Sequence, residues 1–281
     1  MALAPDLEGT QCEPVNVAWA RDDVLLYALA VGAGAEQPLA ELSLTTENTD
    51  GVRTVVLPSF AETLTRNAVV DLGGIDHSRL VHAEQTFRLA APLPVEGRAR
   101  VTATVTEVLD KGSGALVRTR ADAVDAETGA PLASAVKSVF VGGEGGFGGS
   151  RGAAAAPSPI PDRAPDHRVT YRTSPGQALL YRLTGDRNPL HSDPAFAARG
   201  GFDRPILHGM CTYGFTARAL VETACDGDAT RLAAMDARFT RPVLPGQVLT
   251  VSVWSTAAGP VFRTAVDGEV VLDRGSAELT G

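Results

Sequence analysis

The 281-residue chain lacks any apolar run near the roughly eighteen residues that a membrane-crossing helix needs, so no membrane span is expected. Cysteine is scarce: Cys12, Cys211 and Cys225 are odd in number and scattered. They suggest no disulfide framework and fit a reducing compartment. No Cys/His cluster has metal-ligand spacing, so no metal is expected. Positive charge is in deficit, with 25 Lys and Arg against 33 Asp and Glu and a formal net charge of -8. General nucleic-acid binding is therefore not expected. The start, Met-Ala-Leu-Ala-Pro-Asp-Leu-Glu, has neither the basic nor the apolar part of a secretion signal, and Glu-Leu-Thr-Gly at the end is no peroxisomal tripeptide. A cytoplasmic location is the expectation. What remains is ordinary globular composition, 44% apolar and 21% charged, at a length that allows one large domain or two small ones.

Residues 142–165 change character. Gly-Gly-Glu-Gly-Gly-Phe-Gly-Gly-Ser-Arg-Gly is followed by four alanines and a proline-rich run. That composition reads as a linker, flexible first and stiffer after. It divides the chain into residues 1–141 and 166–281, and the two halves echo each other. Val24-Leu25-Leu26-Tyr27-Ala28-Leu29 matches Ala178-Leu179-Leu180-Tyr181-Arg182-Leu183. Phe87 with Pro92, Pro94 and Gly97 matches Phe239 with Pro242, Pro245 and Gly246. Alternating strands are expected at 98–109, 115–124, 131–141, 247–254, 261–266 and 269–279. The pattern is α+β: a duplicated unit of one long helix and a curled antiparallel sheet. Residues 209–224 are apolar on most sides, as a buried helix is.

The densest chemistry lies in Tyr-Arg-Leu-Thr-Gly-Asp-Arg-Asn-Pro-Leu-His, residues 181–191. Asp186, Asn188 and His191 fall within six residues, with Pro189 among them. Proline stops a helix and pushes Asn188 toward extended geometry, so the three side chains share a bent loop. Such a loop can aim an acid, a carboxamide and an imidazole at one water molecule. Taken alone, Gly185 to Pro189 is a plain turn signal. The first half has Ala30-Val31-Gly32-Ala33-Gly34-Ala35-Glu36-Gln37 in the corresponding place, which leaves one catalytic loop in the chain.

With Leu207-His208-Gly209 added, the stretch resembles the signature of the hydratase 2 (MaoC-like) family: an aromatic, a small hydroxyl residue, Gly-Asp-x-Asn-Pro-x-His, then Leu-His-Gly. The resemblance implies a double hot-dog fold and reversible addition of water to trans-2-enoyl-CoA, giving (3R)-3-hydroxyacyl-CoA. It implies Asp186, His191, Asn188 and Gly209 as catalytic residues. The Gly209 amide, at a helix start, would form the oxyanion hole. Val81-His82-Ala83-Glu84-Gln85 resembles the family's acyl-CoA segment, with Ala83 where glycine is usual. Lys111 matches a lysine near the coenzyme phosphates, and Phe239 an aromatic beside the ligand; Arg238 is a further candidate for the polyanion. His208 reads as a helix-start residue, and Tyr27 and Tyr181 as packing residues. No cofactor is implied beyond the coenzyme A of the substrate. The acyl-CoA thioester is the expected partner, and a homodimer is open. Alternatives are dehydration of 3-hydroxyacyl-carrier-protein thioesters, a hot-dog thioesterase, and a non-catalytic acyl-binding module.

Overall fold

The computed structural model describes all residues except 1, 2, 5, 77, 78, 154–157, 159 and 281. The described residues form one ten-stranded antiparallel sheet. The first half supplies β1 (Val15–Trp19), β2 (Leu80–Leu89), β3 (Gly97–Asp110), β4 (Gly114–Asp125) and β5 (Pro131–Gly142). The second supplies β6 (His167–Arg172), β7 (Leu232–Phe239), β8 (Val248–Thr256), β9 (Gly259–Val266) and β10 (Glu269–Leu279). Their order is β1-β3-β4-β5-β2-β7-β10-β9-β8-β6, which reads the same in the two repeats from either edge. The halves meet where β2 pairs with β7, Glu84 opposite Arg238 and Phe87 opposite Met235. This is the double hot-dog architecture.

Alternation makes these strands. In β3, Ala99, Val101, Ala103 and Val105 are fully buried, while Arg98, Arg100 and Thr102 between them face outward. The inner face wraps α6 (Gly209–Ala224), with the bounds expected from its apolar composition. Tyr213, Phe215, Ala217, Ala219 and Leu220 are at most 1% exposed. Each large apolar side chain buried there contributes about 1.5–3 kcal/mol.

The long helix expected in the first half is absent among the described residues. In its place are a 3-10 turn, Pro58–Phe60, and α3 (Ala61–Thr65). Proline fixes the start of this segment, and the β-branched Thr63 and Thr65, followed by Asn67, give little propensity to extend it. Ahead of it lie α1 (Arg21–Ala30) and α2 (Leu42–Thr45). The echo does hold at α1, whose counterpart is α4 (Gln177–Tyr181) with its 3-10 extension Arg182–Thr184. A buried ion pair ties the halves together: Arg218 on α6 donates to Glu41 at 2.7 and 2.9 Å and to the Val31 carbonyl at 3.0 Å.

The glycine-rich segment expected to be flexible is anchored where it is described. The Asp110 carboxylate accepts amides of Gly112, Gly146 and Gly148, each at 2.8 Å. The Gly146 and Gly112 amides hold its pKa below the usual carboxylate range. Residues 154–157 and 159 of the expected linker lie outside the described part. Among the described residues no helix is long and apolar enough to cross a membrane.

Candidate active site

Gly185, at φ +117°, turns the chain out of the 3-10 segment, a conformation that suits glycine. Asp186 then accepts the Asn188 amide at 3.2 Å, and the Asn188 side chain accepts the Leu190 amide at 3.0 Å. Pro189 opens a single 3-10 turn that ends at His191. Asp193 caps the next helix, α5 (Pro194–Arg199), through the Ala195 and Phe196 amides. The Asn188 carboxamide oxygen is thus engaged by its own loop, and the residue is exposed.

The loop folds back onto the start of α6. His191 donates from Nδ1 to the Ile206 carbonyl at 2.9 Å. A carbonyl only accepts, so Nδ1 carries the proton and Nε2 keeps its lone pair. His208 donates from Nε2 to the Asp186 carbonyl at 3.2 Å, which leaves its Nδ1 buried and without a partner. The two imidazoles stack with centroids 3.8 Å apart and planes 29° apart. Asp186, His191 and His208 each place one donor atom within 4.8 Å of the others. Burial pushes the His191 pKa down. Burial and then the neighbouring His191 push His208 down to about 3. Both rings are therefore neutral near pH 7, and His191 is available as a base. These three residues are a set that could hold a cation or a water molecule.

The first amides of α6 follow His208 of this cluster directly in the chain. His208 is the N-cap residue and makes no side-chain cap, so the leading N–H groups have no capping partner. A Cβ on Gly209 would lie 3.0 Å from Cε1 of Phe239. Phe239 in turn contacts His82 of the first half, ring centroids 4.7 Å apart. A continuous series of contacts, His191–His208, Gly209, Phe239, His82, therefore crosses the seam between the repeats.

His82 reaches that seam because of a bulge. His82 pairs with Val139 and Glu84 with Ser138, so Ala83 is the extra residue that re-aims the strand. His82 Nε2 lies 3.0 Å from the Gln85 side-chain oxygen and 3.1 Å from the Glu84 carbonyl. Burial, with Lys137 adding to it, pushes its pKa down to about 4. Lys111 lies in the β3–β4 turn at the same end of the sheet and donates to the Arg151 carbonyl at 2.6 Å. Arg238 is exposed and opposite Glu84, on the strand face opposite to Phe239; the structure does not bring it to the loop. An open groove of about 580 Å³ lined by Trp19, Asp23, Arg98 and Asp125 lies at the far end of the first-half sheet from His82.

Three residues at or beside the cluster escaped sequence reasoning. His208 joins it by stacking, although its sequence position marks only a helix start. Arg66 lies 5.9 Å over the Tyr181 ring, with a nitrogen 3.7 Å from where a Gly185 Cβ would stand. Glu62 is 8% exposed, and burial raises its pKa. An ionisable residue on the short helix that replaces the long one was the signal available for Arg66 and Glu62.

Comparison with known proteins shows the family. The MFE-2 hydratase 2 N-terminal domain matches residues 18–143 and the MaoC like domain matches residues 157–274. The chain is 44% identical over 276 residues to the enoyl-CoA hydratase ChsH3 of Mycobacterium tuberculosis, covering 94% of each. It is 43% identical over 290 residues to 3-hydroxyacyl-thioester dehydratase Y of the same organism, covering 99% of each. Among solved structures, full-length peroxisomal multifunctional enzyme type 2 from Drosophila melanogaster superposes with a TM-score of 0.84 at 33% identity, covering 96% of this chain and 48% of that one. With both halves matched and relatives aligned over nearly their whole length, the chain belongs to the MaoC-like hydratase 2 family.

Proposed function

We propose that this protein is a hydro-lyase that adds water reversibly to trans-2-enoyl-CoA and yields (3R)-3-hydroxyacyl-CoA. The observation that carries the reading is the convergence of Asp186 and His191 on the side of the loop that meets the bare start of α6. Water held by the Asp186 carboxylate and His191 Nε2 loses a proton to this pair as its oxygen bonds to C3. The C2–C3 π electrons shift toward the thioester carbonyl, whose oxygen gains negative charge. The Gly209 N–H stabilises that charge; removing such a donor typically costs about 3–4 kcal/mol of barrier. The proton then passes from the Asp186/His191 pair to C2, so water is fully accounted for. His191 and Asp186 act as one unit in this step. His208 holds the loop against the helix, and Phe239 with His82 forms the opposite wall. The atoms balance without an added redox or group-transfer cofactor.

A second reading, the reverse reaction on a carrier-protein thioester, is favoured by the resemblance to a 3-hydroxyacyl-thioester dehydratase. Turnover on a series of enoyl-CoA lengths, in parallel with the same acyl groups on acyl carrier protein, separates the two. CoA substrates are expected to react faster. A thiol-reactive dye run alongside should stay colourless; free thiol would mean thioester hydrolysis and would overturn both readings.

A further inference from the structure

The first half keeps only a short helix over the sheet, and the space beneath it is not filled like a core. A narrow, partly open cleft lies there, with about 20 Å³ of room, the space of about one water molecule. Its roof is Glu62, Thr65 and Arg66, on α3 and the residue that follows it. Its floor is Gln85, Lys137 and Thr119, in register across β2, β5 and β4. These three occupy the strand face on which Phe87, Ala135 and Ala121 are buried. A pocket for a purely aliphatic chain would be apolar at such positions.

Arg66 is the most telling member. All three of its guanidinium nitrogens are buried and none has a hydrogen-bond partner. A buried guanidinium whose N–H groups have no hydrogen-bond acceptor is unfavourable, and an acceptor brought by a ligand would relieve it. Glu62 and Asp186 are close enough to act on Arg66 by charge, yet neither forms an ion pair with it. Arg66 also lies beside Gly185, one residue from Asp186, so the cleft adjoins the reacting end of the substrate.

We propose that this cleft is a polar acyl subsite in which Arg66 and Lys137 bind a carboxylate carried on the acyl chain, making carboxylated enoyl-CoA thioesters the preferred substrate class. The inference rests on the enoyl-CoA reading above and narrows it. Arg66 offers a planar fork that matches a carboxylate, and Lys137 a point charge on the other side. Glu62, which burial favours in its protonated form, can donate a hydrogen bond to the same group. Arg66 has a long side chain that can turn to admit the ligand.

The test compares saturated mono-CoA thioesters of dicarboxylic acids with plain acyl-CoA of equal length, six to ten carbons, by calorimetric titration. The same pairs in trans-2-enoyl form are then compared for kcat/KM. Wild type should favour the carboxylated member of at least one pair, and Arg66→Met should lower that ratio by about tenfold or more. Lys137→Met should lower it in the same direction, and it keeps the test decisive if the Arg66 variant does not fold. An unchanged ratio in the folded variants, or equal losses on both members, would overturn the subsite and make Arg66 a support for the catalytic loop. The titration needs no turnover. Selective binding without hydration would therefore count against the activity and not against the subsite.

Discussion

The two halves share one topology and differ in what each places under the sheet. The second half has a sixteen-residue buried helix whose N-cap residue, His208, clusters with Asp186 and His191 of the loop. In the corresponding place the first half has only the five-residue α3, no such loop, and a polar cleft. Duplication thus separated two requirements that conflict in one unit. The oxyanion amide proposed at Gly209 would need to be held rigidly, which a fully packed helix achieves. The proposed acyl subsite would need a core that is not fully packed.

The sharpest way to break this contrast is to remove the acid–base pair of the second-half loop. Asp186→Asn and His191→Gln should each lower kcat on crotonyl-CoA by about a hundred- to ten-thousandfold. Circular dichroism should show the fold retained. Near-wild-type rates in either folded variant would remove the mechanism. Next in size is the link between the halves. Arg218 is 5% and Glu41 26% exposed in side chain, so Glu41→Ala strands a buried guanidinium. It should reduce unfolding free energy by about 3–5 kcal/mol in urea titration. Gly209→Ala should follow, because its methyl would press on Phe239 at 3.0 Å and block approach to the amide. A loss of about a hundred- to a thousandfold in kcat is expected, with a smaller change in KM.

The pH dependence follows from the two most depressed histidines. His208 falls from 6.5 to about 3, and His82 from 6.5 to about 4. Below pH 6.5 the unfolded chain takes up protons that the folded chain refuses, so stability is full above 6.5 and declines as pH falls toward 4. Thermal melts at constant ionic strength should show this decline, and His208→Asn should flatten part of it. The smallest effect belongs to the first half. Glu36 stands where the echo of the catalytic loop would be and accepts the Arg172 amide at 3.0 Å. Glu36→Gln should alter kcat by less than about twofold and stability by less than about 1 kcal/mol.

Much of this contrast is legible in sequence. Strict alternation marks β3, β4, β5, β8, β9 and β10 to within a residue or two, because each has one face on the core. The all-round apolar pattern marks α6 at both ends. The edge strands β1 and β6 are only five and six residues long and half exposed, so their alternation is weak. β2 carries the bulge at Ala83, which breaks its period. In the candidate site, Asp186, Asn188 and His191 are contiguous enough to be read together. Arg66, Lys137 and Gln85 are not: they meet only through the strand register and the brevity of α3, which one half must borrow from the whole fold. Arg238, adjacent to Phe239 in sequence, falls on the opposite face by the same two-residue period that makes the strand.

The most direct measurement is the product formed when the wild-type protein meets crotonyl-CoA, resolved by chiral chromatography. In the proposed mechanism one loop presents water to a single face of the substrate. The expected outcome is loss of the conjugated thioester with formation of (3R)-3-hydroxybutyryl-CoA alone. A (3S) or racemic product, or free coenzyme A in place of the hydroxyacyl thioester, would contradict it.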